Sequence, residues 1–311
     1  MPVAKLLARS DATGMDRVRS ALDAILSEQR LPDLHELVAR VCVPLADFIA
    51  QRVTELQRCV VVGIAGSQGA GKSTVSALVR ALLTEGRGLR VLILSLDDFY
   101  LSKAQRLELA RTVHPLLVTR GVPGTHEVPA MLEAVQRARE ARPGEQISLP
   151  QFSKAEDDRR SELRLEAGPF DVVLFEGWCV GARAHDADTL IEPLNALERD
   201  EDPDGRFREF VNQQLAQPYA KLWAELDALV FLAVPSFETV FQFRREQEHK
   251  LRLAAGPGVG MSDDALQRFI RHYERITRHM LRDLPSRADV VVRFDAARQV
   301  IDAMYPATPK T

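Results

Sequence analysis

The segment Gly66-Ser-Gln-Gly-Ala-Gly-Lys72-Ser73 stands between two runs of different character, and that placement restricts the fold more than any other feature. Ahead of it lies Cys59-Val-Val-Val-Gly-Ile-Ala65, apolar without interruption. A short run of this kind marks a strand covered on both faces, as in a parallel sheet. Behind it, Val75, Leu78, Val79 and Leu82 recur at helical spacing and give a helix over about 75–83 one apolar side. A buried strand, a glycine-rich turn and a helix therefore follow one another within 25 residues.

The turn fits G-x-x-x-x-G-K-[ST] in the strand-to-helix context that gives the motif its meaning. Gly66, Gly69 and Gly71 let backbone N–H groups turn towards phosphate oxygens with no Cβ in the way. The helix N-terminus adds the positive end of its dipole. Lys72 brings a mobile charge to the β- and γ-phosphates, and Ser73 offers a hydroxyl to Mg²⁺. The whole run, with Ser67, Gln68, Ala70 and Thr74, is expected to bind a nucleoside triphosphate.

Four more runs have the same strand character: Arg90–Leu96, Asp171–Phe175, Ala228–Val234 and Asp289–Phe294. Helical patterns separate most of them, notably Met131–Arg142, Thr239–Leu253 and Ser262–Arg282. The alternation predicts an α/β chain with a doubly wound, mostly parallel five-stranded sheet and right-handed crossovers. Residues 14–57 read as helical, with Leu34, Leu37, Val38, Val41, Leu45, Phe48, Ile49, Val53 and Leu56 on one face and a kink at Pro44. The expected division is a helical N-terminal extension over 1–57 and a main domain over 58–311. Two stretches interrupt the pattern: about 99–168, rich in Arg, Pro and Gly, and Gly256–Ser262, which follows an Arg-rich helix. Loops of this length in a compact domain usually bind substrate or close over it.

A net charge of −3 supplies no basic field for a nucleic acid or a membrane surface, and no run of about 18 apolar residues occurs. Cys42, Cys59 and Cys179 sit singly in apolar runs, which suits buried thiols in a reducing compartment. No apolar core follows the charges at Lys5, Arg9, Asp11 and Asp16, so the expected location is the cytoplasm.

Acidic residues end two of the strands. Asp97 and Asp98, in Ser95-Leu-Asp-Asp-Phe-Tyr100, fall at the C-terminal end of the second, where ligands of doubly wound sheets bind. Neighbouring strand residues point to opposite sides, so one of the two should face the site while the other caps a turn or meets solvent. Glu176, in Phe175-Glu-Gly-Trp178, ends the third strand, where a carboxylate can organise Mg²⁺ directly or through water. No N-K-x-D guanine-reading motif follows a strand.

These segments together carry a family resemblance. Ser95–Leu101, Thr119–Glu127, Leu149–Lys154 with Asp157–Arg159, and Phe175–Trp178 resemble the D-glycerate 3-kinase group of P-loop kinases, related to uridine kinase, phosphoribulokinase and pantothenate kinase. The likeness continues through Arg244–Glu248, Met261–Asp263 and Arg268–Arg275. It implies a P-loop NTPase fold with sheet order 2-3-1-4-5 and transfer of the ATP γ-phosphate, with Mg²⁺, to a hydroxyl of a small hydroxy acid, foremost D-glycerate. It also implies Asp97 as the base, with Asp98 second, and a lid over about 244–275 carrying Arg244, Arg245 and Arg252. An acceptor carboxylate would suit Arg120 or Arg159, with Tyr100, His126 and Lys154 as hydrogen-bonding neighbours. By analogy Asp295–Arg298 would lie near the adenine. One position departs from the group's pattern: Ser153 stands before Lys154 where Asp is more common. Two other readings stay open, a kinase for a nucleoside, sugar phosphate or pantothenate, and a nucleotide-dependent regulator that transfers nothing.

Overall fold

A computed structural model describes residues 12–28, 34–255 and 260–306. Five strands run parallel: β1 (Val60–Gly66), β2 (Val91–Ser95), β3 (Val172–Gly177), β4 (Ala228–Ala233) and β5 (Val290–Phe294). They lie side by side in the order 2-3-1-4-5. Every residue of β1, β3 and β4 is buried, which explains their unbroken apolar runs. The five-strand expectation falls one short, because β6 (Val300–Met304) adds to β5 in the antiparallel sense. A tight turn makes the connection: the Asp295 side chain accepts from the Ala297 and Gln299 amides, both at 2.8 Å. Ile301 and Met304 on this edge are exposed, so β6 lacks the buried-strand signature.

Alternation along β1 feeds two cores. Val60, Val62 and Ile64 face a layer formed by α1 (Ala12–Glu28), α2 (Val43–Leu56) and α3 (Lys72–Arg87). There Val18 seats against Gly86, and Leu45 and Ile49 join Leu78 and Val79. Pro44 falls in the first turn of α2, and the chain just before it, Val38–Cys42, widens into a π-turn. The wider turn makes room for a ring that would otherwise crowd the Arg40 carbonyl.

Val61 and Ala65 face the opposite core, which the 99–168 insertion helps to build. That insertion holds α4 (Lys103–Thr112), α5 (Val128–Glu140), a ribbon of Gln146–Leu149 with Arg164–Ala167, and a smaller ribbon of Phe152–Ser153 with Asp158–Arg159. It is folded structure rather than a long loop. After it come α6 (Arg206–Gln214), α7 (Phe237–Ala255) and α8 (Asp263–Asp283), the last capped by Ser262, whose Oγ accepts from the Ala265 amide. Of the expected Gly256–Ser262 stretch, residues 256–259 lie outside the described residues, as do Lys5, Arg9 and Asp11. No helix among the described residues is long and apolar enough to cross a membrane.

Parallel strands end together, and this builds the site. The register pairs Ala65 of β1 with Gly177 of β3, and Glu176 of β3 with Ser95 of β2. The glycine-rich turn, Glu176 and the Asp97 segment therefore emerge at one edge of the sheet.

Candidate active site

Gly66 closes β1, Ala70 is buried in the turn, and Gly71 (φ +88°) caps α3. Gly69 has φ +81°, and a Cβ there would lie 2.7 Å from Phe243 Cβ, so conformation and space both demand glycine. Ser67 Oγ and Gln68 Oε1 are buried without a hydrogen-bond partner. Lys72 folds back to donate to the Ser67 carbonyl at 3.0 Å. Burial lowers its pKa, against the pull of Glu176 and Asp97. Ser73 Oγ and Ser95 Oγ both donate to Glu176 Oε1, at 3.0 and 2.9 Å. Thr74 lies in the first turn of α3, half-buried and off the cavity wall.

These groups open onto a cavity of about 210 Å³ whose far wall carries Asp97. Asp97 and Asp98 lie in a 3₁₀ turn, Leu96–Phe99, rather than in the strand. Asp97 Oδ1 accepts from the Tyr100 hydroxyl at 2.6 Å, and Oδ2 pairs with Lys154 Nζ at 2.6 Å. Burial pushes the Asp97 pKa up, but Lys154, Tyr100 and Lys72 together outweigh it and hold it at about 2. Asp98 turns away from the cavity and accepts from the Phe152 amide; burial raises its pKa while Arg164 opposes.

The insertion supplies the rest of that wall. Arg120 lines the cavity, pairs with Asp157 and lies over the Phe152 ring at 5.6 Å. Its backbone is pinned from below: Tyr273 donates to the Arg120 carbonyl at 2.6 Å, and Trp178 Nε1 to the Gly121 carbonyl at 2.7 Å. Tyr100 also lines the cavity, its ring held between His126 at 4.8 Å and Phe152 at 5.0 Å. His126 and Arg159 do not reach the wall. His126 is buried behind Tyr100, shares a 2.5 Å hydrogen bond with the Tyr219 hydroxyl, and is kept neutral by burial, with a pKa of about 3. Arg159 donates to the Tyr100 carbonyl at 2.7 Å, so it braces the backbone from behind. Ser153 is buried, and its Oγ accepts from the Glu156 amide at 3.3 Å. Aspartate could make the same turn bond, and Ser153 itself does not line the cavity.

Arg244 reaches the cavity from α7, fixed by Gln247 at 2.8 Å and by buried Glu248 at 2.6 Å. Arg245 stacks near Phe241, and Arg252 faces Asp263; neither lines the cavity. Arg298 comes to the phosphate-loop side, 3.9 Å above the Phe243 ring and 3.4 Å from the Gly69 carbonyl. Gln247, Trp178 and Phe269 also line the cavity with no role expected from the sequence, and so does Tyr273, for which the sequence left closure over the site and simple packing both open. Gln247 lies one helical turn from Arg244, and Phe269 and Tyr273 are four apart, so helical spacing carried the only signal.

No family model matches the sequence. Individual proteins do. The uncharacterized kinase mug58 of Schizosaccharomyces pombe is 35% identical over 235 residues, covering 73% of this chain and 82% of that one. The chloroplastic D-glycerate 3-kinase of Arabidopsis thaliana is 29% identical over 225 residues, 69% of this chain; the match spans 46% of the plant protein. The solved D-glycerate 3-kinase of Cryptococcus neoformans superposes with a TM-score of 0.69 at 25% identity, over 85% of this chain and 98% of that one. The chain belongs to the D-glycerate 3-kinase group of P-loop kinases. As a member of that kinase group it has the P-loop NTPase fold and is a phosphotransferase with an alcohol group as acceptor.

Proposed function

We propose that the chain transfers the γ-phosphoryl group of ATP, with Mg²⁺, to a hydroxyl of a small hydroxy acid, and that D-glycerate is the acceptor, yielding 3-phosphoglycerate. One observation carries the reading: Asp97, paired with Lys154, shares a single cavity with Arg120, Lys72 and the Ser73–Glu176 pair. A carboxylate with Lys154 and Arg120 in its cavity suits an acceptor that has both a hydroxyl and an acid.

Residues 58–311 form the kinase domain in this reading, and 1–57 a supporting extension. The amides of Gly66–Thr74 and Lys72 bind the triphosphate. Ser73 and Glu176 present hard oxygens 3.0 Å apart, which suits Mg²⁺. When bound, that ion neutralises phosphate charge. Asp97 is ionised at neutral pH; it orients the acceptor hydroxyl and takes its proton late, as a loose transition state requires. Arg120 receives the acceptor carboxylate, and Tyr100 holds Asp97 in place. Arg244 meets the charge that develops on the triphosphate, and residues 244–275 close over it, excluding water. The three cysteines are free and buried, compatible with a reducing cytoplasm.

The test is ADP release with a panel of hydroxy acids, nucleosides and pantothenate, each with and without Mg²⁺, with the product read by mass spectrometry. Stimulation by D-glycerate is expected, and turnover that no hydroxy acid alters would reject the acceptor. Asp97→Asn should spare nucleotide binding and cut transfer by roughly 10²- to 10⁴-fold. Full transfer by that variant would remove Asp97 as the base.

A further inference from the structure

Both oxygens of Asp97 are engaged before any acceptor arrives, one by Tyr100 and one by Lys154. The two partners differ in freedom. Tyr100 is buried, stacked between His126 and Phe152, and tied through its carbonyl to Arg159. The Lys154 side chain is 63% exposed and begins the turn of the small ribbon. Among the described residues its ion pair is with Asp97 alone.

Arg120, the other cation of this wall, is not free to exchange partners in the same way. Its acid, Asp157, is held from behind by Arg106, which is 1% exposed and donates to the Asp157 carbonyl at 2.6 Å. Arg106 also lies 3.1 Å from the Asp157 carboxylate. An entering anion therefore meets one anchored cation and one that can leave its acid.

We propose that Lys154 is a specificity-determining residue that covers Asp97 until the carboxylate of an acidic acceptor draws it away. The inference rests on the kinase reading given above. A carboxylate offers Lys154 a replacement ion pair, so the exchange costs little. A neutral alcohol or water offers none, and Asp97 stays covered. The consequence is discrimination against neutral polyols and against waste of the nucleotide. With Asp97 uncovered and no acid present, water becomes the acceptor: its oxygen bonds to the γ-phosphorus, the bond to ADP breaks, and Asp97 takes the proton.

The test uses the full chain with saturating ATP and Mg²⁺, measuring ADP release with no acceptor, with D-glycerate and with glycerol. For Lys154→Met, hydrolysis without acceptor should rise about two- to fivefold, the scale on which a partly exposed ion pair acts. Its preference for D-glycerate over glycerol should shrink. Lys154→Arg keeps the cation and should hold acceptor-free hydrolysis below that of Lys154→Met. Adding Asp97→Asn to Lys154→Met should cancel the gain, which ties it to the uncovered carboxylate. A merely structural Lys154 would lower all rates together. Unchanged or reduced acceptor-free hydrolysis in Lys154→Met, in a chain that turns over D-glycerate, overturns the role given to Lys154. A parent chain that phosphorylates no hydroxy acid overturns the acceptor reading, and this inference with it.

Discussion

Gly121 carries two constraints at once. Its φ is +110°, and a Cβ would lie 2.6 Å from the Tyr273 hydroxyl that holds the Arg120 carbonyl. Gly88, at the end of α3, has φ +69° with nothing within 4 Å. Gly88→Ala should cost about 1 kcal/mol from backbone strain alone. Gly121→Ala should cost about 2–4 kcal/mol, since overpacking adds to strain. Urea midpoints of the two variants separate the contributions, and equal losses would show that Tyr273 yields freely. Some residue roles were legible in sequence because the chemistry is local: Lys72 and Ser73 follow from the spacing of the turn. Others were not. His126 and Arg159 stand in recognisable motifs, yet they hold Tyr100 rather than face the cavity. A motif marks which residues matter without telling the contacting ones from those that brace them.

At the scale of elements, strands β1, β3 and β4 were readable because burial on both faces leaves an apolar run no loop would carry, and β2 and β5 because they keep such a run while only partly covered. β6 was not, since an exposed edge strand has no such constraint. Phe269 and Tyr273 were hidden for a related reason: aromatics four apart on an amphipathic helix read as core, and Tyr273 is indeed buried while lining the cavity. The insertion shows how one buried side chain can join segments that its two small ribbons do not connect. Arg106 donates to the carbonyls of Leu101 at 3.2 Å, Val118 at 2.9 Å and Asp157 at 2.6 Å, joining three separate segments. Arg106→Met keeps much of the volume but leaves these carbonyls and Asp157 without their cation. A loss of about 3–5 kcal/mol is expected, the usual result of breaking a buried pair. The acceptor KM should rise more than kcat falls, because Arg120 loses the support of its acid. Denaturant unfolding and acceptor titration check both; intact stability would mean that water replaces the guanidinium.

For the molecule as a whole, buried neutral histidines set the acid limit of stability. His126 and His272 are held at about 3 and about 4, in each case mainly by burial. Asp97 acts on His126 in the opposite sense, and Arg268 and Glu201 act on His272 from either side. An unfolded chain protonates both near pH 6.5, so it binds more protons than the folded one below that pH. Stability should be flat above pH 7 and fall from pH 6.5 to about 4, by roughly 1.4 kcal/mol per pH unit for each fully buried group. Asp97 works in a lower window: its depressed pKa contributes stability above about 4 that is lost as pH falls through about 2. Urea midpoints at pH 7.5, 6 and 5 test this, and His272→Gln should flatten the decline. A midpoint unchanged between pH 7.5 and 5 would mean that these rings protonate in place.

The pairing of Ser95 with Glu176 across β2 and β3, and of Ala65 with Gly177 across β1 and β3, has a further consequence. The glycine-rich turn and the Asp97 segment are mounted on rails of one hydrogen-bonded frame, with β3 between them. Sliding one rail by a single residue would shift it by about 3.3 Å and turn every side chain to the opposite face. The register across these strands is thus quantised, and it sets where the turns that carry Lys72 and Asp97 begin. Tuning has to come from parts outside the frame, such as α7, α8 and the ribbon that carries Lys154. On the proposed reading, a change of acceptor would call for rebuilding that ribbon while the strands keep their register.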